Sequence, residues 1–191
     1  EIVFTYLAVR RDMEGLSLND VARGRGESLA EALCTVLSEN DLKVGYLGSP
    51  PDSLAIWDAI SSDAMELLSR SDYMVCSDIT PAGTFPHPRS YGAFPRFLGR
   101  LRRKFGGLSL EQTIHRMTDR PARRFGITKR GRIEKGWYAD LVIFDSDRVI
   151  DTATYDDPCQ FPIGIPYVIV NGQLAVDNEH CTGVLAGRAV P

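Results

Sequence analysis

Near Ile127 this sequence changes its period, and that change constrains the fold more than any other feature. Before it, short apolar runs alternate with segments whose apolar residues recur every three or four positions. After it, glycines become frequent, the helical period stops, and apolar runs appear at Leu141–Phe144, Tyr167–Val170 and Gln173–Val176. The last two flank Asn171-Gly172, a pair that readily takes positive φ at both centres of a two-residue turn and so marks a hairpin. A 3.6-residue period and a short apolar run bury their faces in different elements. The chain is therefore expected to be an α/β body over residues 1–127 followed by a small β module over residues 128–191.

Within the body, Ser28-Leu29-Ala30-Glu31 has the form of a capping box, with Leu29, Leu33, Val36 and Leu37 on one helix face. Ser109-Leu110-Glu111-Gln112 repeats the device before Leu110, Ile114 and Met117. Further helices are expected over 53–61, 64–69 and 96–105. A short one has Pro121 as its first residue, Asp119 as its cap and Gly126 at its end. Strands are expected at Glu1–Leu7, at Val44–Leu47 (closed by Gly48-Ser49-Pro50-Pro51) and at Tyr73–Cys76. Such alternation favours a parallel sheet with helical crossovers. Ile79 to Pro95 reads as one long loop that is functional rather than disordered, because Phe85, Tyr91 and Phe94 need somewhere to pack. The chain opens directly on a strand without an initiator Met, and is expected to continue something longer.

Composition narrows the partners. Hydrophobic residues make up 43% and charged residues 25%, with a net charge of -3, which argues against nucleic acid. The basic run Arg100, Arg102, Arg103 and Lys104 reads as a solvated helix face, because stacking aromatics are absent apart from Phe105 and Phe125. Gly24, Gly26 and Gly45 fit neither a P-loop nor a dinucleotide fingerprint. No apolar run is long enough to span a bilayer and no secretory signal is read, so the expected location is the cytoplasm. The four cysteines lack metal-site spacing; Cys34 and Cys76 are expected as buried free thiols, with a Cys159–Cys181 disulfide left open.

The chemistry-bearing residues cluster around the loop. Asp78 follows the apolar run Tyr73–Cys76. Asp after a strand commonly caps a turn, but the end of a buried strand is also where α/β barrels place their chemistry. In Pro86-His87-Pro88-Arg89 the two prolines restrict the backbone, so Arg89 is presented with little freedom for bidentate carboxylate capture. A lone loop histidine such as His87 reads first as a hydrogen-bonding residue and second as a proton carrier. His115 and His180 read as structural or solvated. No His-x-His occurs.

These residues carry a family resemblance. Gly131-Arg132-Ile133-Glu134-Lys135-Gly136-Trp137-Tyr138-Ala139-Asp140-Leu141-Val142-Ile143-Phe144-Asp145 resembles the G-x-I-x-x-G-x-x-A-D-L-V-x-x-D segment of the amidohydrolase superfamily. Val170-Asn171-Gly172, Thr182-Gly183 and Gly187-Arg188 resemble its C-terminal strands. The stretch from Ser77-Asp78 through His87-Pro88-Arg89-Ser90-Tyr91-Gly92-Ala93-Phe94-Pro95-Arg96 is similar to the S-D…H-P-R-x-x-G-x-F-P-R segment of N-acyl-D-amino-acid deacylases, with Ile79 where Gly is frequent. Glu14–Leu18 and Asp157–Pro162 resemble further stretches of that family. The resemblance implies the last part of a metal-dependent (β/α)8 barrel over 1–127 and the C-terminal strands of a small β-sandwich over 128–191. It also implies Asp78 as catalytic carboxylate and possible metal ligand, Arg89 as the grip on the substrate α-carboxylate, and zinc as cofactor. Zinc in such a site acidifies its bound water and polarises the acyl carbonyl.

The family's His and Cys metal ligands do not occur in this sequence, and a catalytic zinc needs about three protein ligands. The expectation is the C-terminal portion of a deacylase, inactive alone, whose partners are a small N-acyl-D-amino acid and the missing N-terminal part of the barrel. Two alternatives stand beside it. One is a hydantoinase- or dihydropyrimidinase-like enzyme acting on cyclic amides; the other is a non-catalytic relic acting through binding or assembly.

Overall fold

The computed structural model describes residues 2–48, 53–79 and 83–190. Contacts divide the chain into two compact units, one of residues 1–57, 78–90 and 153–159, the other of 58–77, 91–152 and 160–191. The change of texture at residue 127 falls inside the second unit.

In the first unit β1 (Ile2–Leu7) pairs antiparallel with β2 (Val44–Gly48). The register shifts between Phe4 and Tyr6. That bulge breaks the alternation of faces, so Phe4 and Leu7, three residues apart, both reach the core. Between the strands lie α1 (Leu18–Arg25) and α2 (Leu29–Glu39). Ser17 caps α1 by accepting from the Asp20 amide, and the expected capping box of Ser28 and Glu31 opens α2. The core joins Phe4 and Leu7 to Met13, Leu18, Val21, Ala32 and Val36. Val36 was expected there; Leu29 was not expected to stay 51% exposed. Cys34 is exposed because the buried positions of α2 are Ala32 and Val36, which turn the side between them outward.

The second unit contains the body of α3 (Leu54–Ser69), a single helix where two were expected, since no Gly or Pro interrupts its course. α4 (Arg89–Arg96) runs through a π-helical turn, Phe97–Leu101, into α5 (Arg102–Phe105). Gly99 lies in that turn, where a Cβ would come within 2.1 Å of the Val149 carbonyl oxygen. α6 (Leu110–Met117) opens on the expected Ser109/Gln112 box, and α7 (Asp119–Arg124) follows. Met65, Leu68, Val75, Leu101 and Leu108 form the core. The β module is a four-stranded antiparallel sheet in the order β3 (Leu141–Ile143), β4 (Tyr167–Val170), β5 (Gln173–Asp177), β6 (His180–Cys181). The expected hairpin is present, with φ of 48° at Asn171 and 80° at Gly172.

Several expectations are corrected. Every strand pairing among the described residues is antiparallel, not parallel. Tyr73–Cys76 is not a strand: the Val75 amide donates to the Arg116 carbonyl at the end of α6, and no ladder flanks it. Cys76 is accordingly exposed, and all four cysteines are free. The loop from Ile79 is cut short by α4, which begins at Arg89. Asp119 is the first residue of α7 rather than its cap, because Arg123, Arg132 and His115 claim its carboxylate. Thr182–Val190 carries no strand. Glu1, Ser49-Pro50-Pro51 of the turn and Thr80-Pro81-Ala82 of the loop lie outside the described residues.

Candidate active site

The first unit collects Asp78, His87, Arg89 and Tyr155. The loop arriving at them is seated on β1. Gly83 has φ of 89°, and a Cβ there would come within 1.9 Å of the Thr5 carbonyl oxygen, so only glycine permits this approach. The next residue, Thr84, donates both its amide (2.8 Å) and its hydroxyl (2.6 Å) to Oε2 of Glu14. The other oxygen of Glu14 accepts from the Leu7 amide at 2.8 Å, so one carboxylate ties the end of β1 to the loop. Burial opposes the charge on Glu14, yet the bonds from Thr84 and Leu7 outweigh it and hold its pKa below the ordinary value. Pro86 is buried, and His87 and Arg89 follow.

Arg89 is the first residue of α4, whose leading amides lack helical partners. Nδ1 of the His87 ring accepts from the Arg89 amide at 3.0 Å, the service a Ser or Asp usually performs. The His87 carbonyl accepts from the Ser90 amide at 2.9 Å. These two bonds explain why a helix starts where a loop was expected. At the far side of the ring, Nε2 lies 3.3 Å from the Tyr155 hydroxyl, and the two rings meet edge to face with centroids 5.3 Å apart. Burial first, and then the charge of Arg89, push the His87 pKa below that of a free imidazole.

Asp78 and Arg89, eleven residues apart, meet with Nη2 at 3.4 Å from Oδ2. The Asp78 side chain is 86% exposed and that of Arg89 45%, so the pair is held by water-screened attraction of about 0–1 kcal/mol. Asp78 has φ of 44°, in the left-handed region that Asp and Asn tolerate better than most residues. Arg89, His87 and Tyr155 share a wall of an open cavity of about 780 Å³, completed by β1–β2 residues including Thr5, Tyr6 and Tyr46. Asp78 does not line that cavity.

The metal fit is poor. Among the described residues no group of three His, Cys, Asp or Glu side chains could hold an ion, and Asp78 could supply one oxygen ligand at most. His115 is 3.3 Å from Asp119, and Nδ1 of His180 is 2.6 Å from the Asn178 carbonyl oxygen; both are structural. No described helix is long and apolar enough to cross a membrane.

A family model described as the amidohydrolase family matches residues 13–176. The chain belongs to the amidohydrolase family. The D-aminoacylase of Alcaligenes xylosoxydans xylosoxydans is 32% identical over 188 residues, covering 98% of this chain and 36% of the relative. A crystal structure of a D-aminoacylase superposes with a TM-score of 0.79 at 32% identity, covering 99% of this chain and 37% of that one. The N-acyl-D-glutamate deacylase of Bordetella bronchiseptica superposes with a TM-score of 0.74 at 34% identity, covering 91% of this chain and 34% of that one. That enzyme was solved with zinc and a phosphonate mimic of the tetrahedral intermediate. This amidohydrolase chain thus spans about a third of the length of the relatives it matches.

Sequence reasoning selected Asp78 and Arg89, and the fold brings them together. It passed over Tyr155, which sits in an aperiodic polar stretch 68 residues from His87, where no local signal exists. Glu14 lay in a stretch noted for its resemblance, yet its bonds to Thr84 cross 70 residues and left no trace in spacing.

Proposed function

We propose that this chain is the C-terminal portion of a zinc-dependent N-acyl-D-amino-acid deacylase, supplying the substrate-carboxylate grip and one catalytic carboxylate. Residues 1–127 would be the end of its barrel and 128–191 the strands of its β-sandwich. The observation that carries this reading is the Asp78–Arg89 pair at 3.4 Å beside an open cavity. The exposed ion pair is weak, so a substrate α-carboxylate can displace Asp78 from the guanidinium at little cost. Arg89 then holds the substrate through paired N–H donors. The released Asp78 carboxylate accepts a proton from the attacking water and returns it to the leaving amine. General acid–base assistance of this kind is worth roughly 10²–10⁴-fold. Zinc, when bound in the complete protein, supplies Lewis-acid polarisation of the acyl carbonyl; its ligands are not gathered among the described residues, so the chain alone should be inactive.

The test is Arg89→Lys in the complete enzyme, measured on an N-acyl-D-amino acid and on its carboxamide. Lys keeps the charge but loses the forked geometry. A charge-assisted bond of about 1.5–3 kcal/mol implies a fall in kcat/KM of roughly 10- to 150-fold on the acid. The loss should shrink on the amide. Equal losses on both would make Arg89 a loop support and remove the case for N-acyl-D-amino acids; turnover of cyclic ureides instead would point to hydantoinase-like chemistry.

A further inference from the structure

We infer that His87 is a positioning residue: its neutral, Nε2-protonated imidazole, steadied by Tyr155, fixes the start of α4 and thereby aims the Arg89 guanidinium at the substrate carboxylate. This rests on the reading of Arg89 given above.

The proton inventory carries the argument. The Arg89 amide can only donate, so Nδ1 of His87, 3.0 Å away, must present a lone pair. A neutral ring with Nδ1 unprotonated carries its hydrogen on Nε2, and Nε2 therefore donates to the Tyr155 oxygen at 3.3 Å. Pro86 and Pro88 fix φ on either side of His87, and the edge-to-face contact with Tyr155 leaves the ring little rotation. Arg89 is thus the first helical residue, with its amide held from within the same loop. The guanidinium hangs from a peptide plane whose orientation a single imidazole nitrogen sets.

A second proton on His87 would occupy Nδ1 and place two donors face to face. The bond to Arg89 would break, and a second positive charge would appear beside the guanidinium. Among the described residues of the cavity wall the other charged groups are Arg89, which is paired with Asp78, and Lys43, which is paired with Asp41 at 2.9 Å. Partial burial and the Arg89 charge both favour the neutral ring. Carboxylate capture should therefore weaken on acidification, through loss of aim rather than loss of the arginine charge.

Two measurements test this. In the 191-residue chain, long-range ¹H–¹⁵N NMR should find the Nε2-protonated tautomer at neutral pH. The Arg89 amide shift should then follow the His87 titration with the same midpoint. In His87→Asn the side-chain carbonyl supplies an acceptor that does not titrate, so the Arg89 amide should stay bonded and independent of pH. An Nδ1-protonated ring, or an Arg89 amide indifferent to the titration, overturns the inference.

In the complete enzyme His87→Ala should raise KM for the N-acyl-D-amino acid by roughly 2- to 12-fold, the range of one neutral hydrogen bond, with kcat nearly kept. His87→Asn should restore KM and abolish its rise at acid pH. An unchanged KM in His87→Ala sinks the inference even if Arg89→Lys behaves as proposed. Conversely, equal losses on acid and amide in Arg89→Lys would sink the parent reading and the aiming role with it, while the NMR result would still report the His87–Arg89 bond.

Discussion

The exit of β1 is the most exposed test of how the first unit holds its site, and it turns on Asn40. This side chain is 0% exposed at the end of α2. Its Oδ1 accepts from the amides of Val9 at 2.9 Å and Arg10 at 3.0 Å, and its Nδ2 donates to the Val36 carbonyl at 2.8 Å. Asn40→Ala leaves two backbone donors without an acceptor. A buried orphan donor costs about 1–3 kcal/mol, and Val9 is 66% exposed, so water recovers part of the loss. The Val36 carbonyl keeps the Asn40 backbone amide at 3.2 Å and should add little. The expected destabilisation is about 2–4 kcal/mol. Asn40→Asp keeps the Oδ1 acceptor but replaces the Nδ2 donor with an oxygen set against the Val36 carbonyl in a fully buried position, so it too should destabilise the chain at neutral pH. Urea unfolding followed by tryptophan fluorescence and far-UV circular dichroism would read both variants against the parent chain. A loss under about 1 kcal/mol in Asn40→Ala, at unchanged denaturant slope, would show that the turn after β1 holds without this side chain and refute the reasoning.

Two further outcomes follow from the same geometry. Asp78→Asn in the complete enzyme should cut kcat by about 10²-fold or more while the fold survives, because the side chain is 86% exposed and Asn tolerates the φ of 44° equally well; near-normal turnover would reduce Asp78 to a turn residue. Glu14 has a depressed pKa in the folded chain, so its contribution is present above its unfolded value of about 4.3 and is lost as pH falls through the lower folded value. Stability measured by urea titration across that window should therefore drop in the parent chain and drop less in Glu14→Gln.

What could be read directly from the residues was local. The Ser28/Glu31 and Ser109/Gln112 boxes and the Asn171-Gly172 hairpin depend on partners two or three positions away, and each formed as expected. The resemblance that marked Asp78 and Arg89 was likewise written in one short stretch, Ser77–Arg96. Tertiary structure decided whatever needed a distant partner. Tyr73–Cys76 has strand composition but no neighbouring ladder, and a strand exists only through its pairing. The helix at Arg89 depended on an imidazole acting as its cap, which composition does not announce. Tyr155 on His87 and Glu14 on Thr84 are set by contacts across 68 and 70 residues, a separation at which spacing carries no information and only packing does.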